Sequence, residues 1–174
     1  MIEMRVAGIA LDAMSRTPVI LLRDTTDRRQ VPIYISREQA NSIIAVLENQ
    51  PAPRPLTHDL FVNLLDEWDM TLERVVIHSL QDNTYFALLT LSKGEIRREL
   101  DSRPSDAIAI ALRLDAPIWV MEEVIADASI PVDTDADEAE KKAFQAFLAN
   151  LNPSDFTHRG KSSTSNDTLE SSDS

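Results

Sequence analysis

Moved along by 66 residues, this sequence falls on itself. Met4 lands on Met70, Val6 on Leu72, and Ile9 on Val75. Val19-Ile20-Leu21-Leu22 lands on Tyr85-Phe86-Ala87-Leu88, Ser36-Arg37 on Ser102-Arg103, and Ile44-Ala45-Val46 on Ile110-Ala111-Leu112. Such self-similarity restricts the fold to one built from two like units that bury a shared core. The third segments match poorly, since Val31 and Ile33 meet Arg97 and Glu99.

Each unit reads as strand, strand, strand, helix. Met4–Leu11 is a strand, with a bulge expected near Gly8 where apolar alternation slips. Thr17–Arg23 is a continuous apolar run, typical of a strand buried on both faces. Asp24–Asp27 is a turn, and Arg29–Ile35 alternates as a third strand. Ser36 with Gln39 fits a capping box, and Ala40, Ile43, Ile44 and Leu47 recur at helical spacing. The second unit repeats this over Thr71–Leu80, Asn83–Leu91, Glu95–Leu100 and a helix to about Leu114 that opens with Pro104.

Between the units, the proline-rich stretch from Pro51 to Pro55 leads into a helix capped by Thr57 and running through Trp68, with Leu60, Leu64 and Leu65 on one face. After the second unit come a short strand at Ile118–Val120 and a helix at Met121–Ala128. The expected class is α+β, a duplicated β-β-β-α unit forming one mixed or antiparallel sheet with packed helices. The expected domain spans 1–132, with repeats at about 1–50 and 70–115. An acidic linker and an amphipathic helix fill 133–156, and 157–174 is polar enough to be expected disordered.

Charge narrows the function. The net charge is −12. From Met121 onward 12 acidic and 4 basic residues give −8 of it, which leaves −4 for the first 120 residues. A wholly basic nucleic-acid footprint is excluded, but basic patches on the domain are not. With no cysteine there are no disulfides or thiolate metal sites. No apolar run approaches the roughly 18 residues of a membrane span, and no leader-like N-terminus is seen, so a cytoplasmic protein is expected. Three glycines leave no glycine-rich phosphate loop.

Three stretches stand in order: Arg54-Pro55-Leu56-Thr57-His58-Asp59-Leu60, Leu72-Glu73-Arg74-Val75-Val76-Ile77, and Arg103-Pro104-Ser105-Asp106 continuing to Arg113. Together with Pro117–Val120, Glu122-Glu123-Val124 and the stretch from Phe144 to Phe156, they resemble the bifunctional nuclease domain family over roughly residues 1–156. Plant members of that family are credited with cutting both DNA and RNA, so the resemblance implies a nuclease acting on DNA or RNA.

Cutting a phosphodiester takes an activated nucleophile, a cation on the phosphate and help for the leaving oxygen. Of three histidines, His78 lies in an apolar strand and His158 in the tail, so only His58 is well placed. A metal route would use Mg²⁺ or Mn²⁺ on carboxylates, with Glu38, Asp59, Asp101 and Asp106 as candidates. The reading assigns catalysis to His58, Asp59 and Asp106, metal ligation to Asp59 and Asp106, and substrate binding to Arg37, Arg54, Arg103 and Ser105. Each has a plainer role. Asp59 and Asp106 sit in first turns, where acids suit the helix dipole. Arg103 and Asp106 can form an ion pair, and Arg37 can belong to a solvated helix start. The alternative function is therefore a non-catalytic oligomeric binding or regulatory module. Apolar edge strands favour a homo-oligomer under either reading.

Overall fold

The structure is a computed structural model that describes residues 1–50 and 52–132, together with 142, 143 and 146. The elements in order are β1 (Ile2–Leu11), β2 (Pro18–Asp24), β3 (Arg29–Tyr34), α1 (Arg37–Leu47), α2 (Thr57–Glu67), β4 (Thr71–Gln81), β5 (Thr84–Lys93), β6 (Ile96–Ser102), α3 (Pro104–Leu114), β7 (Ile118–Val120), α4 (Glu122–Ala128) and β8 (Ile130–Pro131). The strands form one eight-stranded sheet in the order β6-β5-β4-β7-β1-β2-β3-β8. β4 and β7 pair in parallel and the other neighbours antiparallel, so the sheet is mixed and the class is α+β.

The order β-β-β-α recurs, with β1-β2-β3-α1 in one half and β4-β5-β6-α3 in the other. Each set of strands is an antiparallel meander, and β7 is inserted between them. What the structure shows is this shared order of elements; common descent of the halves is a separate proposition. Two positions one displacement apart do touch, for Gln39 Nε2 donates to Ser105 Oγ at 2.7 Å. The bulge expected near Gly8 is present as a register shift between Val6 and Gly8.

The poor match of the third strands has a physical counterpart. β3 is an inner strand, flanked by β2 and β8, and Gln30, Val31 and Ile33 are buried. β6 is the sheet edge and is exposed along nearly its whole length. Polar residues at Arg97 and Glu99 suit the second environment and not the first.

α3 lies at the centre of the helical layer. It contacts α1, α2, β4 and β5, and Ala107, Ile108, Ala109, Ile110 and Ala111 are all buried. Its three buried alanines let neighbouring backbones approach closely. Asp115, in the left-handed region at φ 51°, ends it.

Two local expectations are corrected. Thr57 is the first helical residue of α2 and not its cap; Leu56 holds that place, and the side chain of Asp59 accepts from the Leu56 N–H at 2.7 Å. The Asp59 carboxylate thus supplies the reciprocal bond of a capping box, to the N-cap N–H, and not the bond expected of a threonine hydroxyl. Leu60 and Leu64 do not share the burial of Leu65: they are 63% and 47% exposed against 3%. β8 was not foreseen, being two residues long and containing a proline. The acidic linker from 133, the amphipathic helix expected at 143–151 and the tail from 157 lie outside the described residues, apart from 142, 143 and 146.

Candidate active site at the start of the third helix

Three helix starts meet near the top of α3. The first turn of α3 supplies Asp106, that of α2 supplies His58 and Asp59, and α1 supplies Glu38, Gln39 and Ser42. Arg103 precedes α3 as its N-cap residue, directly after β6.

His58 is at the middle of a chain of hydrogen bonds. Its Nδ1 lies 2.8 Å from Ser42 Oγ, and its Nε2 lies 3.0 Å from Asp106 Oδ1. Asp106 Oδ2 accepts from Arg103 Nε at 2.6 Å. On the far side, Arg113 donates through one nitrogen to Ser42 Oγ and the Ser42 carbonyl, both at 3.3 Å. It also donates to the Ala109 carbonyl at 2.8 Å and to Asp59 Oδ1 at 2.6 Å.

The direction of each proton follows from the ends of this chain. An arginine only donates, so Ser42 Oγ accepts from Arg113 and its own hydrogen is left for His58 Nδ1. In the neutral ring Nδ1 is then an acceptor, and the ring proton sits on Nε2 and points at the Asp106 carboxylate; in the doubly protonated ring Nδ1–H donates instead to the second lone pair of Ser42 Oγ. The arrangement is not an acyl-transfer triad. There the serine meets Nε2 and the aspartate Nδ1. Here the order is reversed, and Ser42 is buried at 8% exposure, out of reach of a macromolecular substrate.

Electrostatics agree with these assignments. Burial acts to raise the Asp106 carboxyl, but hydrogen bonds from Arg103 and His58 outweigh it and hold the group below the ordinary carboxylate range. Asp59 is lowered mainly by the Arg113 hydrogen bond and then by the Leu56 N–H. Arg103 is raised by Asp106. Both carboxylates are ionised at neutral pH.

The expected site residues are divided between two clefts. One, of about 450 Å³, is lined by Glu38, His58, Phe61, Asp101, Arg103 and Asp106, among others. The other, of about 750 Å³, is lined by Arg54, Leu56, Asp59, Asn63 and Arg113, among others. His58, Arg103 and Asp106 are thus brought together, whereas Asp59 and Arg54 face the second cleft. Ser105 is buried and hydrogen-bonded to Gln39. Arg37 is exposed at the start of α1 and lines neither cleft.

Asp59 and Asp106 do not form a common metal site. They line different clefts, and all four carboxylate oxygens already accept hydrogen bonds from Arg113, Leu56, His58 and Arg103. Among the described residues no group of three or more His, Asp or Glu side chains could hold a metal ion. As placed, Asp59 and Asp106 do not fit one shared divalent cation.

Ser42 and Arg113 are network members that sequence reasoning did not single out. A signal existed for Arg113: it is a lone cation in the apolar stretch from Ala107 to Leu114, which requires a partner when buried. Ser42 has no comparable signal.

A mixed sheet carries a histidine, a carboxylate and an exposed arginine at one cleft. The chain belongs to the bifunctional nuclease domain family, whose model matches residues 20–133. It is 36% identical over 162 residues to an uncharacterized protein of Mycobacterium tuberculosis (strain H37Rv), covering 88% of this chain and 97% of the relative. It is 28% identical over 123 residues to bifunctional nuclease 1 of Oryza sativa subsp. japonica, covering 69% of this chain and 37% of the relative. With bifunctional nuclease 2 of Arabidopsis thaliana it shares 30% identity over 93 residues, 52% of this chain and 28% of the relative. Among the described residues no helix is long and apolar enough to cross a membrane.

Proposed function

We propose that this chain is a nuclease that hydrolyses phosphodiester bonds of DNA or RNA in the cleft formed by His58, Arg103 and Asp106. The observation that carries the reading is the convergence of these three side chains, from α2 and the β6–α3 junction, on one cleft. The names of the plant relatives support it.

Arg103 is the phosphate ligand. Its side chain is 71% exposed, and its ion pair with Asp106 is local, so it turns to an incoming phosphate at low cost. His58 is the proton carrier, with Nε2 the reacting atom. Ser42 and Arg113 fix the ring from behind, at Nδ1. Water attacks phosphorus and the bond to the leaving oxygen breaks. In its doubly protonated form, with Nδ1–H turned to Ser42 Oγ, His58 gives the Nε2 proton to that oxygen and becomes neutral, while the ionised Asp106 takes the proton of the attacking water and then returns it to Nε2. A Mg²⁺ or Mn²⁺ ion, expected from the carboxylates of this chain, would lower the pKa of the attacking water.

Purified protein is expected to cut labelled single- and double-stranded oligonucleotides. His58→Ala and Asp106→Asn are expected to lower the rate about 10²–10⁴-fold, the scale of a lost proton-transfer group, while remaining folded by circular dichroism. Assays with EDTA, Mg²⁺ and Mn²⁺ decide the metal requirement. Unchanged cutting by both variants would overturn the assignment.

One observation favours a second reading, a binding or regulatory module without catalysis. Both ring nitrogens of His58 are already hydrogen-bonded, so the cluster is complete as a structural device. On that reading the wild type cuts nothing, and the same substitutions change only the melting temperature.

A further inference from the structure

We infer that β6 is the self-association surface of this protein, pairing antiparallel with β6 of a second copy about a two-fold axis through Arg98. The inference is independent of the nuclease reading.

The two ends of the sheet differ. β8 closes one end with two residues, one of them proline, a combination that discourages further pairing. β6 ends the other with seven residues, no proline and exposed side chains along nearly all of it. Among the described residues its outer row of backbone N–H and C=O groups has no partner strand and is an open template for another.

Exposed apolar side chains gather at that same end. On α2, Leu56, Leu60, Leu64 and Trp68 recur every four residues and form one stripe, each at least 42% exposed. On β6, Ile96 is 57% exposed and Leu100 44%. Leu100 pairs with the buried Leu89 and shares the first cleft with Phe61 of α2, so it lies on the helix-bearing face of the sheet. Ile96 shares that face by alternation. Lys93 Nζ donates to the Trp68 carbonyl at 2.6 Å, which places the end of α2 beside the β5–β6 turn. Stripe and strand put six exposed apolar side chains at this end of the sheet, a grouping of the kind that marks an interaction site.

A second copy fits it by sequence. With Arg98 on the axis, Ile96 of each strand opposes Leu100 of the other on the helix-bearing face. On the opposite face Arg97 of each opposes Glu99 of the other. Apolar and opposite-charge cross-strand pairs are both favourable, and these four flanking pairs offset the one unfavourable pair, the two Arg98 side chains that meet at the axis on the helix-bearing face. β6 carries Arg97, Arg98, Glu99 and Asp101 and is locally neutral, in a chain of net charge −12 whose copies otherwise repel. The two-fold axis stands perpendicular to the sheet, so both α2 stripes lie on one side and face each other over the joined strands. Five of the six exposed apolar side chains are aliphatic and Trp68 is the one aromatic, so the surface with its strand edge suits another strand better than a run of nucleobases, which stack on successive aromatic rings. Leu100 and Asp101 also wall the first cleft, so pairing bounds its mouth on that side.

The absence of cysteine makes the test direct. Residues directly opposite in an antiparallel pair lie about 4.5–5.5 Å apart at Cα, within the span of a disulfide. The full chain is expected to sediment as a dimer. Under mild oxidation Arg98→Cys is expected to cross-link to itself at least tenfold faster than Thr25→Cys, in the exposed β2–β3 turn, and faster than Glu99→Cys. Arg97→Glu is expected to weaken the dimer tenfold or more, and Arg97→Glu with Glu99→Arg to restore it. Three results would each overturn the inference: a monomer at all concentrations, cross-linking of Arg98→Cys no faster than of Thr25→Cys, or faster cross-linking of Glu99→Cys. A monomer that loses oligonucleotide binding in Leu60→Asp would overturn it in favour of a nucleic-acid surface.

Discussion

α1 and α3 both come after the third strand of a meander and open at a Ser-Arg pair, Ser36 being the N-cap of α1 and Arg103 that of α3, yet they use their starts in opposite ways. Ser36 caps α1, with its hydroxyl accepting from Gln39 N at 3.3 Å and Gln39 Oε1 accepting from Ser36 N at 2.8 Å. The polar side chains there are spent on the helix's own backbone. At α3 no side chain caps the helix, and Pro104 removes an N–H that would have needed a partner. Ser102 Oγ donates to the Arg103 carbonyl, and the Asp106 side chain turns away to His58 and Arg103. The candidate site therefore forms where a helix start does not satisfy itself. The same pair of residues becomes structural in one half and available for chemistry in the other.

The largest expected effect comes from the cation that supports the α3 side. Arg113 has a side chain only 8% exposed, and it bridges α3 to Asp59 of α2 and Ser42 of α1. Arg113→Ala strands a carboxylate and removes the donor that orients Ser42 toward His58. A loss of about 3–5 kcal/mol, the scale of breaking a buried pair, is expected from denaturant midpoints. Arg113→Lys is expected to recover only part of it, because an ammonium cannot span three acceptors as a planar fork does. A loss below ~1 kcal/mol would break the comparison, since α3 would then owe its open start to something else.

The strands and helix borders were legible because they rest on local patterns. Alternation marks Val31 and Ile33, the capping box marks Ser36, and Pro104 marks the start of α3. The α2 face was misjudged because a leucine stripe at Leu60 and Leu64 reads the same whether it meets a core or lies open. The site was legible in part. His58, Arg103 and Asp106 do meet, but Asp59, adjacent to His58, faces the other cleft. Successive residues on a helix point about 100° apart, so neighbours in sequence need not share a cavity. Ser42 and Arg113 are far apart along the chain, and no spacing rule connects them.

A smaller effect sharpens the comparison through pH. The Asp106 carboxyl is held below its ordinary value of 3.8 in the folded protein. Its contribution to stability is then present above that unfolded value and is lost as pH falls through the depressed folded value. Asp106→Asn is expected to cost about 1.5–3 kcal/mol at pH 7, the scale of hydrogen bonds to a charged group. The gap between variant and wild type should shrink below about pH 4 and close under the folded value. Urea midpoints from pH 7 to pH 2 measure this. A gap that stays constant would mean that Asp106 carries no charge-dependent role at the α3 start.

The smallest expected effect tests the other side of the comparison. Ser36→Ala removes one half of the α1 capping box and leaves the other, because the Gln39 side chain still accepts from the backbone N–H of residue 36. The cost is expected near the lower end of the range for a lost N-cap, about 0.5–1 kcal/mol, with oligonucleotide cleavage unchanged. Gln39 complicates this in an informative way, since its amide also donates to Ser105 Oγ in the first turn of α3. If the serine cap serves only α1, that bond survives and the α3 cleft keeps its shape. If cleavage falls along with stability, the two helix starts are coupled through Gln39. The structural start would then belong to the site, and the division of labour between the halves would not hold.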